Sequence, residues 1–239
     1  MRVDDVTQAE TLALVEAFIQ GPPPQQVVTV NPEFIMAARE DGEFANVLEG
    51  AALALPDGVG VLWAARMLGY PLRERVAGVD AVGCWAGLAE EKGYGVFLLG
   101  AGEGVAEEAG RRLRERYPRL AVVGTFAGSP GFKQEEEIVE RIKRAFPQML
   151  FVAYGAPQQD KWIARNLGRL GVPVAMGVGG AFDFLARRAE RAPHWMRRLG
   201  LEWLYRLIRQ PWRWRRMLVL PHFAWLVVVS ALKGRLLNG

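Results

Sequence analysis

Six short apolar runs recur along the first 180 residues, each followed by a stretch long enough for a helix. They are VVTV (27–30), ALAL (52–55), YGVFLLG (94–100), LAVVGTF (120–126), MLFVAYG (149–155) and VPVAMGVGG (172–180). A strand that alternates apolar and polar residues covers one side of a sheet. A strand apolar at every position is covered on both. The intervening segments read as helices: PEFIMAARE with Pro32 in its first turn, VGVLWAARMLG, residues around 103–116 and 134–145, QQDKWIARNLGRLG, and AFDFLARR. Repeated β-then-α units of this kind predict an α/β fold: a Rossmann-like, mostly parallel sheet with helices on both faces.

Such sheets bind ligands beyond the carboxyl ends of their strands. The residues there are polar or glycine-rich. Thr29, Asn31 and Glu33 follow the first run, and Pro56-Asp57-Gly58 the second. Gly100-Ala101-Gly102-Glu103-Gly104 follows the third, Gly155-Ala156-Pro157-Gln158-Gln159-Asp160 the fifth, and Gly177-Val178-Gly179-Gly180 with Asp183 the sixth. Backbone N–H groups at such turns favour anions. GAGEGV is not the dinucleotide fingerprint, because Val105 stands at the third glycine, and no Walker lysine pattern occurs. The turn at 100–104 is a ligand loop or a plain tight turn. Asp57 is a catalytic carboxylate or an ordinary turn residue, and Thr29 and Asn31 carry the same ambiguity.

Several chemistries find little support. The two histidines, His194 and His222, lie near the C-terminus, there is one cysteine, and no HExxH, cysteine cluster or Asp-x-Asp triplet occurs. No metal or other cofactor is therefore expected. No G-x-S-x-G elbow exists for a serine hydrolase. If the ligand is a nucleotide diphosphate, arginines and backbone dipoles must balance its charge.

Charge divides the chain. Residues 187–239 carry 12 Lys and Arg against Glu190 and Glu202, a net of about +10, while residues 1–186 carry 18 basic and 24 acidic side chains. Five of the eight tryptophans, Trp195, Trp203, Trp212, Trp214 and Trp225, lie in the basic part. The expected organisation is a catalytic body at 1–190 and a basic, Trp-rich helical appendage at 191–239 that associates with membranes. Residues 217–232 are uncharged, short of the roughly 20 apolar residues a spanning helix needs. Insertion at the interface or as a re-entrant segment, a span, and a protein-contacting helix all remain open. The basic residues sit among Trp and Leu, which fits a lipid surface better than nucleic acid. An exposed apolar face would also suit a neighbouring subunit. The lone Cys84 and the absence of a signal-peptide pattern place the body on the cytoplasmic side, peripheral to the inner face of the membrane.

Six motifs in order carry a resemblance to the WecG/TagA/CpsF glycosyltransferase family. They are T-x-N-P-E (29–33), PDG-x-G (56–60), R-V-x-G-x-D (75–80), G-x-P-x-Q-[ED]-x-W (155–162), GVGGAFDF (177–184) and RAPxW…GLEWLYRL…P-x-R-x-x-R (191–216), within a match from about residue 10 to 217. The resemblance implies an inverting, metal-independent transferase. Such an enzyme moves N-acetylmannosamine or a related sugar from UDP to GlcNAc on a polyprenyl diphosphate, in the synthesis of cell-surface polymers such as teichoic acids. It implies that Asp57 is the base, that Thr29 and Asn31 position substrate, and that Arg206, Arg213 and Arg216 complete the site from the appendage. Arg75, Asp80, Gly100, Gln159, Gly179, Gly180 and Asp183 become the substrate-binding set. The chain departs from the family pattern at Asp160, commonly Glu, at Arg187, commonly Gly, and at Gln210, commonly Glu. The apolar stretch 217–232 goes beyond the shared pattern. A related donor such as UDP-glucose or UDP-N-acetylmannosaminuronic acid remains open, as does a non-catalytic UDP-binding module.

Overall fold

The computed structural model describes residues 1–22, 24–193, 195–196, 201–209, 211 and 214–237. The side chains of 206, 215, 216 and 234–237 lie outside that description. Six strands form one sheet: β1 (Gln25–Val30), β2 (Leu53–Pro56), β3 (Val96–Gly100), β4 (Val122–Phe126), β5 (Met149–Ala153) and β6 (Val174–Gly177). Their order is β2-β1-β6-β5-β3-β4. Every pairing is parallel, so the sheet is fully rather than mostly parallel.

The two-sided burial expected of the strands holds for five of them and follows from their alternation; β4, at the edge of the sheet, has no buried residue and Val123 is exposed, because only one neighbouring strand and little of a helix layer cover it. Val27, Val96, Leu98, Met149, Phe151, Val174 and Met176 point to one face. Helices α1 (Gln8–Gln20), α5 (Gly78–Lys92) and α6 (Val105–Arg116) cover that side, with Trp85 of α5 stacked 5.9 Å from Phe151. The opposite face has two apolar clusters. Phe97, Leu99, Leu150, Val152 and Ala175 meet α7 (Phe132–Ala145) and α8 (Gln158–Leu170). Val28, Val30 and Ala54 meet α2 (Pro32–Glu40) and α3 (Gly42–Gly50). Short helices α4 (Val59–Met67) and α9 (Ala181–Leu185) follow β2 and β6.

Local chemistry fixes the helix starts that matter for the cleft. Asn31 caps α2, its Oδ1 accepting from the Phe34 N–H at 3.0 Å, and Pro32 supplies a preset first turn. Thr7 and Glu10 form a capping box at α1.

Beyond residue 190 the chain stays helical: α10 (Glu202–Arg209), α11 (Trp214–Met217) and α12 (Val219–Leu237). Phe223 and Val227 of α12 are buried against Met36 of α2 and Ala64 of α4. This part of the expected appendage therefore packs directly on the body. No helix among the described residues is long and apolar enough to cross a membrane.

Candidate active site

Parallel β1 and β2 bring two strand ends together. Thr29 pairs in register with Leu55 and Val30 with Pro56, and the Asp57 N–H donates to the Val30 carbonyl at 2.9 Å. β6 lies on the other side of β1. The GVGG turn thus stands beside the Thr29 and Asp57 strand ends, at the edge of a cleft of about 1080 Å³. Thr29, Asn31, Asp57, Gln159, Gly179, Gly180 and Asp183 all line it. Seven of the thirteen residues proposed from sequence meet at one cavity, although they span more than 150 positions.

Their environments differ. Thr29 is buried, and the N-terminus of α5 closes on it: a Cβ on Gly78 would lie 3.2 Å from Thr29 Cγ2. Asn31 uses its side-chain oxygen as the α2 cap, so the turn-former reading holds for that atom while the residue still faces the cleft. Gln159 is almost wholly buried. Its Oε1 accepts from the N–H of Gly155 at 3.1 Å and of Gly179 at 2.8 Å, tying two glycine turns together. Both glycines have left-handed φ, 81° and 53°, a conformation that side chains with a Cβ rarely adopt. Gly177 matters for the same packing, since a Cβ there would come within 2.6 Å of Gln159 Nε2 and 2.5 Å of Asp160 Oδ1. The Asp183 carbonyl accepts from the N–H groups of Arg188 and Ala189 at 2.8 and 3.0 Å, folding the segment after α9 back over the cleft.

Three expected binding residues lie outside the lining. Arg75 pairs with Glu202 of α10 at 3.5 Å, and Glu202 itself faces the cleft, so Arg75 stands behind that carboxylate. Both oxygens of Asp80 accept from the Arg191 guanidinium, at 2.5 and 3.1 Å, which ties α5 to the start of the C-terminal segment. Gly100 has φ 99° and packs against the Ala153 backbone, 2.9 Å from where its Cβ would be; it serves the turn out of β3. Arg213 and the side chains of Arg206 and Arg216 lie outside the described residues.

Other lining groups were missed. Arg187 and Arg188 follow α9, and Glu202, Tyr205, Arg209 and Val219 come from the C-terminal helices. Arg209 pairs with Glu190 and carries its guanidinium over the Tyr205 ring, 5.7 Å from the centroid. Arg187 has φ 56°. The sequence signal for Arg187 was its place where glycine is usual. Asp160 was noted only as a motif member. It is fully buried, and burial pushes its carboxyl up to about 7 against the opposing pull of the neighbouring Gln159 amide. Among the described residues no group of three or more His, Cys, Asp or Glu is placed to hold a metal ion.

A parallel sheet with a polar cleft at its strand ends, lined by carboxylates, arginines and glycine turns, has the form of a ligand site of open α/β folds. The model of the glycosyl transferase WecG/TagA/CpsF family matches residues 1–236, and the chain belongs to that family. It is a glycosyltransferase. The match runs past residue 217, so the helix α12 is part of the shared pattern and not an addition to it. A Bacillus subtilis (strain 168) protein named N-acetylglucosaminyldiphosphoundecaprenol N-acetyl-beta-D-mannosaminyltransferase is 40% identical over 199 residues, 83% of this chain and 77% of that protein. A Staphylococcus aureus (strain MW2) protein of the same name is 32% identical over 209 residues, 87% of this chain and 81% of its own.

Proposed function

We propose that the protein transfers N-acetylmannosamine from UDP to GlcNAc on a polyprenyl diphosphate, with inversion and without a metal, at the cytoplasmic face of the membrane. The observation that carries this reading is the meeting of Asp57, Thr29, Asn31, Asp183 and the GVGG turn in one cleft. The transferred sugar and the lipid-linked acceptor come from the relatives' names, and UDP as the donor's carrier from the family resemblance.

Asp57 takes the proton from the acceptor hydroxyl as its oxygen attacks the anomeric carbon. The bond to UDP breaks in the same in-line step, which inverts that carbon. A positioned base contributes roughly 10²–10⁴-fold in rate. Thr29 and the cleft-facing part of Asn31 orient the reacting sugars. The N–H groups of Gly179 and Gly180 lie at the start of α9, and Asp183 accepts a hydrogen bond from the uridine, where a carboxylate does not meet phosphate. The UDP leaving group gains charge, and Arg206, Arg213 and Arg216 neutralise it in place of a metal. Glu202, Tyr205, Arg209 and Val219 already wall the cleft. The C-terminal helices accordingly help to exclude water, which would otherwise hydrolyse the donor.

The test is UDP release from UDP-N-acetylmannosamine with a GlcNAc-diphospho-lipid, with and without EDTA. Asp57→Asn should lower turnover at least about 100-fold while UDP still binds. Turnover close to that of the unaltered enzyme rejects the base assignment, and loss of activity in EDTA rejects the metal-free reading. A panel of UDP-glucose and UDP-N-acetylmannosaminuronic acid tests the donor.

A further inference from the structure

The C-terminal helix α12 divides its apolar residues between two faces. Phe223, Val227 and Ala231, spaced at four, are buried. Trp225, Val228 and Leu232 lie across the helix and are exposed, Trp225 by 60%. Helix α4 behaves in the same way. Val61 and Ala64 face inward, while Val59, Trp63 and Met67 form an exposed stripe at i, i+4 and i+8, extended by Leu68 and by Tyr70, which is 79% exposed. The two helices pack together through Ala64, Phe223 and Val227, so each carries an exposed apolar stripe beside their common contact.

Scattered exposed apolar residues are ordinary, but two such stripes rich in aromatic residues mark an interaction surface. Its charge says what covers it. No acidic residue occurs between Asp57 and Glu74, where Arg66 and Arg73 are the charged residues. None occurs after Glu202, through a stretch that holds seven Lys and Arg. Arg66 and Lys233 are both exposed on these helices. Two apolar stripes that carry no carboxylate of their own and are flanked by Arg66 and Lys233 fit the anionic surface of a bilayer, with Trp63, Tyr70 and Trp225 suited to the headgroup level.

We infer that α4 of the catalytic body lies on an anionic bilayer together with α12, so that the body itself docks rather than hanging from its tail. Helix α4 begins two residues after Asp57, so this contact holds the cleft mouth at the lipid surface. The inference deepens the proposed reading, from which it takes only the lipid-linked acceptor.

The test uses the full chain carrying Trp63→Ser and Met67→Ser, neither of which lines the cleft. Partition onto phosphatidylglycerol vesicles should fall about tenfold. UDP binding and transfer to a water-soluble short-chain GlcNAc diphosphate should be unchanged, while transfer to a long-chain acceptor in vesicles drops. The unaltered chain should bind phosphatidylcholine vesicles far more weakly. Unchanged partition of the double variant overturns the inference. So does a chain that is dimeric in solution and becomes monomeric in the double variant while its vesicle binding persists, because the stripe then joins two copies. Failure of the transferase reading is separable: it appears as no transfer by the unaltered chain to the soluble acceptor.

Discussion

Replacing Phe223 by Ala probes how α12 is held on the body. Phe223 is 6% exposed and packs with Met36, Ala64 and Val227, bordered by Ile35, Val219 and Leu226. Truncating an enclosed Phe to Ala costs about 3–5 kcal/mol. This cluster has four buried members and sits at the periphery, so the lower end, about 3 kcal/mol, applies. At about 1.4 kcal/mol per tenfold, the docked-to-undocked ratio of α12 falls roughly 100-fold. The three clusters of the main core contain no residue of α12, so the loss is local and the sheet keeps its stability. Hydrogen exchange read by mass spectrometry separates the two. Peptides covering 219–231 should exchange about 100-fold faster, while β5 at 149–153 is unaffected. Val219 lines the cleft, so KM for the donor should rise as well. Unchanged protection in 219–231 would refute the docking argument. Equal loss in β5 would refute its locality and make α12 part of one cooperative unit with the sheet.

Two further substitutions test groups the mechanism does not use. Asp160 has its carboxyl raised to about 7 by burial, from an unfolded value of about 4. The native state therefore keeps a proton that the unfolded chain gives up, and stability falls as pH rises from about 4 to about 7, by up to about 1.4 kcal/mol per unit. Asp160→Asn removes that slope, so its urea midpoint should gain on the unaltered protein between pH 4.5 and pH 8; parallel profiles would disprove this. Arg187 holds φ 56°, a left-handed strain of roughly 1 kcal/mol or more for a residue with a Cβ. Arg187→Gly relieves the strain and Arg187→Ala does not, so the glycine variant should melt about 2–4 °C above the alanine variant. A higher midpoint for alanine would reject the strain argument.

The strands were legible because residues such as Val27 and Val28 serve opposite faces and so make unbroken apolar runs. The strand-end carboxylates were legible because a parallel sheet gathers those ends on one side. Helix α5 was not, since GVDAVGCWAGLAEEK mixes small residues that pack all round and shows no stripe. Arg75 and Asp80 read as free binding groups because their partners, Glu202 and Arg191, lie 127 and 111 positions away. Gln159 lines the cleft, and its oxygen in addition ties two turns together, which no local pattern reveals. Residues 217–232 posed the hardest case. An apolar residue left exposed and one packed on protein look alike in sequence, and only the fold separates Phe223 from Trp225.

The pairing of β1 with β6, Gln25 with Val174 through Val27 with Met176, also bears on when the site comes into being. A chain emerging from the ribosome has made β1 to β4 long before β6 exists, and closing a loop of some 150 residues is slow and entropically costly. Until that closure, Thr29 and Asp57 have no GVGG turn beside them. A bound ligand in turn stabilises only the completed fold, by about 2.7 kcal/mol at 100 times its Kd. Ligand occupancy thus ties the two ends of the catalytic body together.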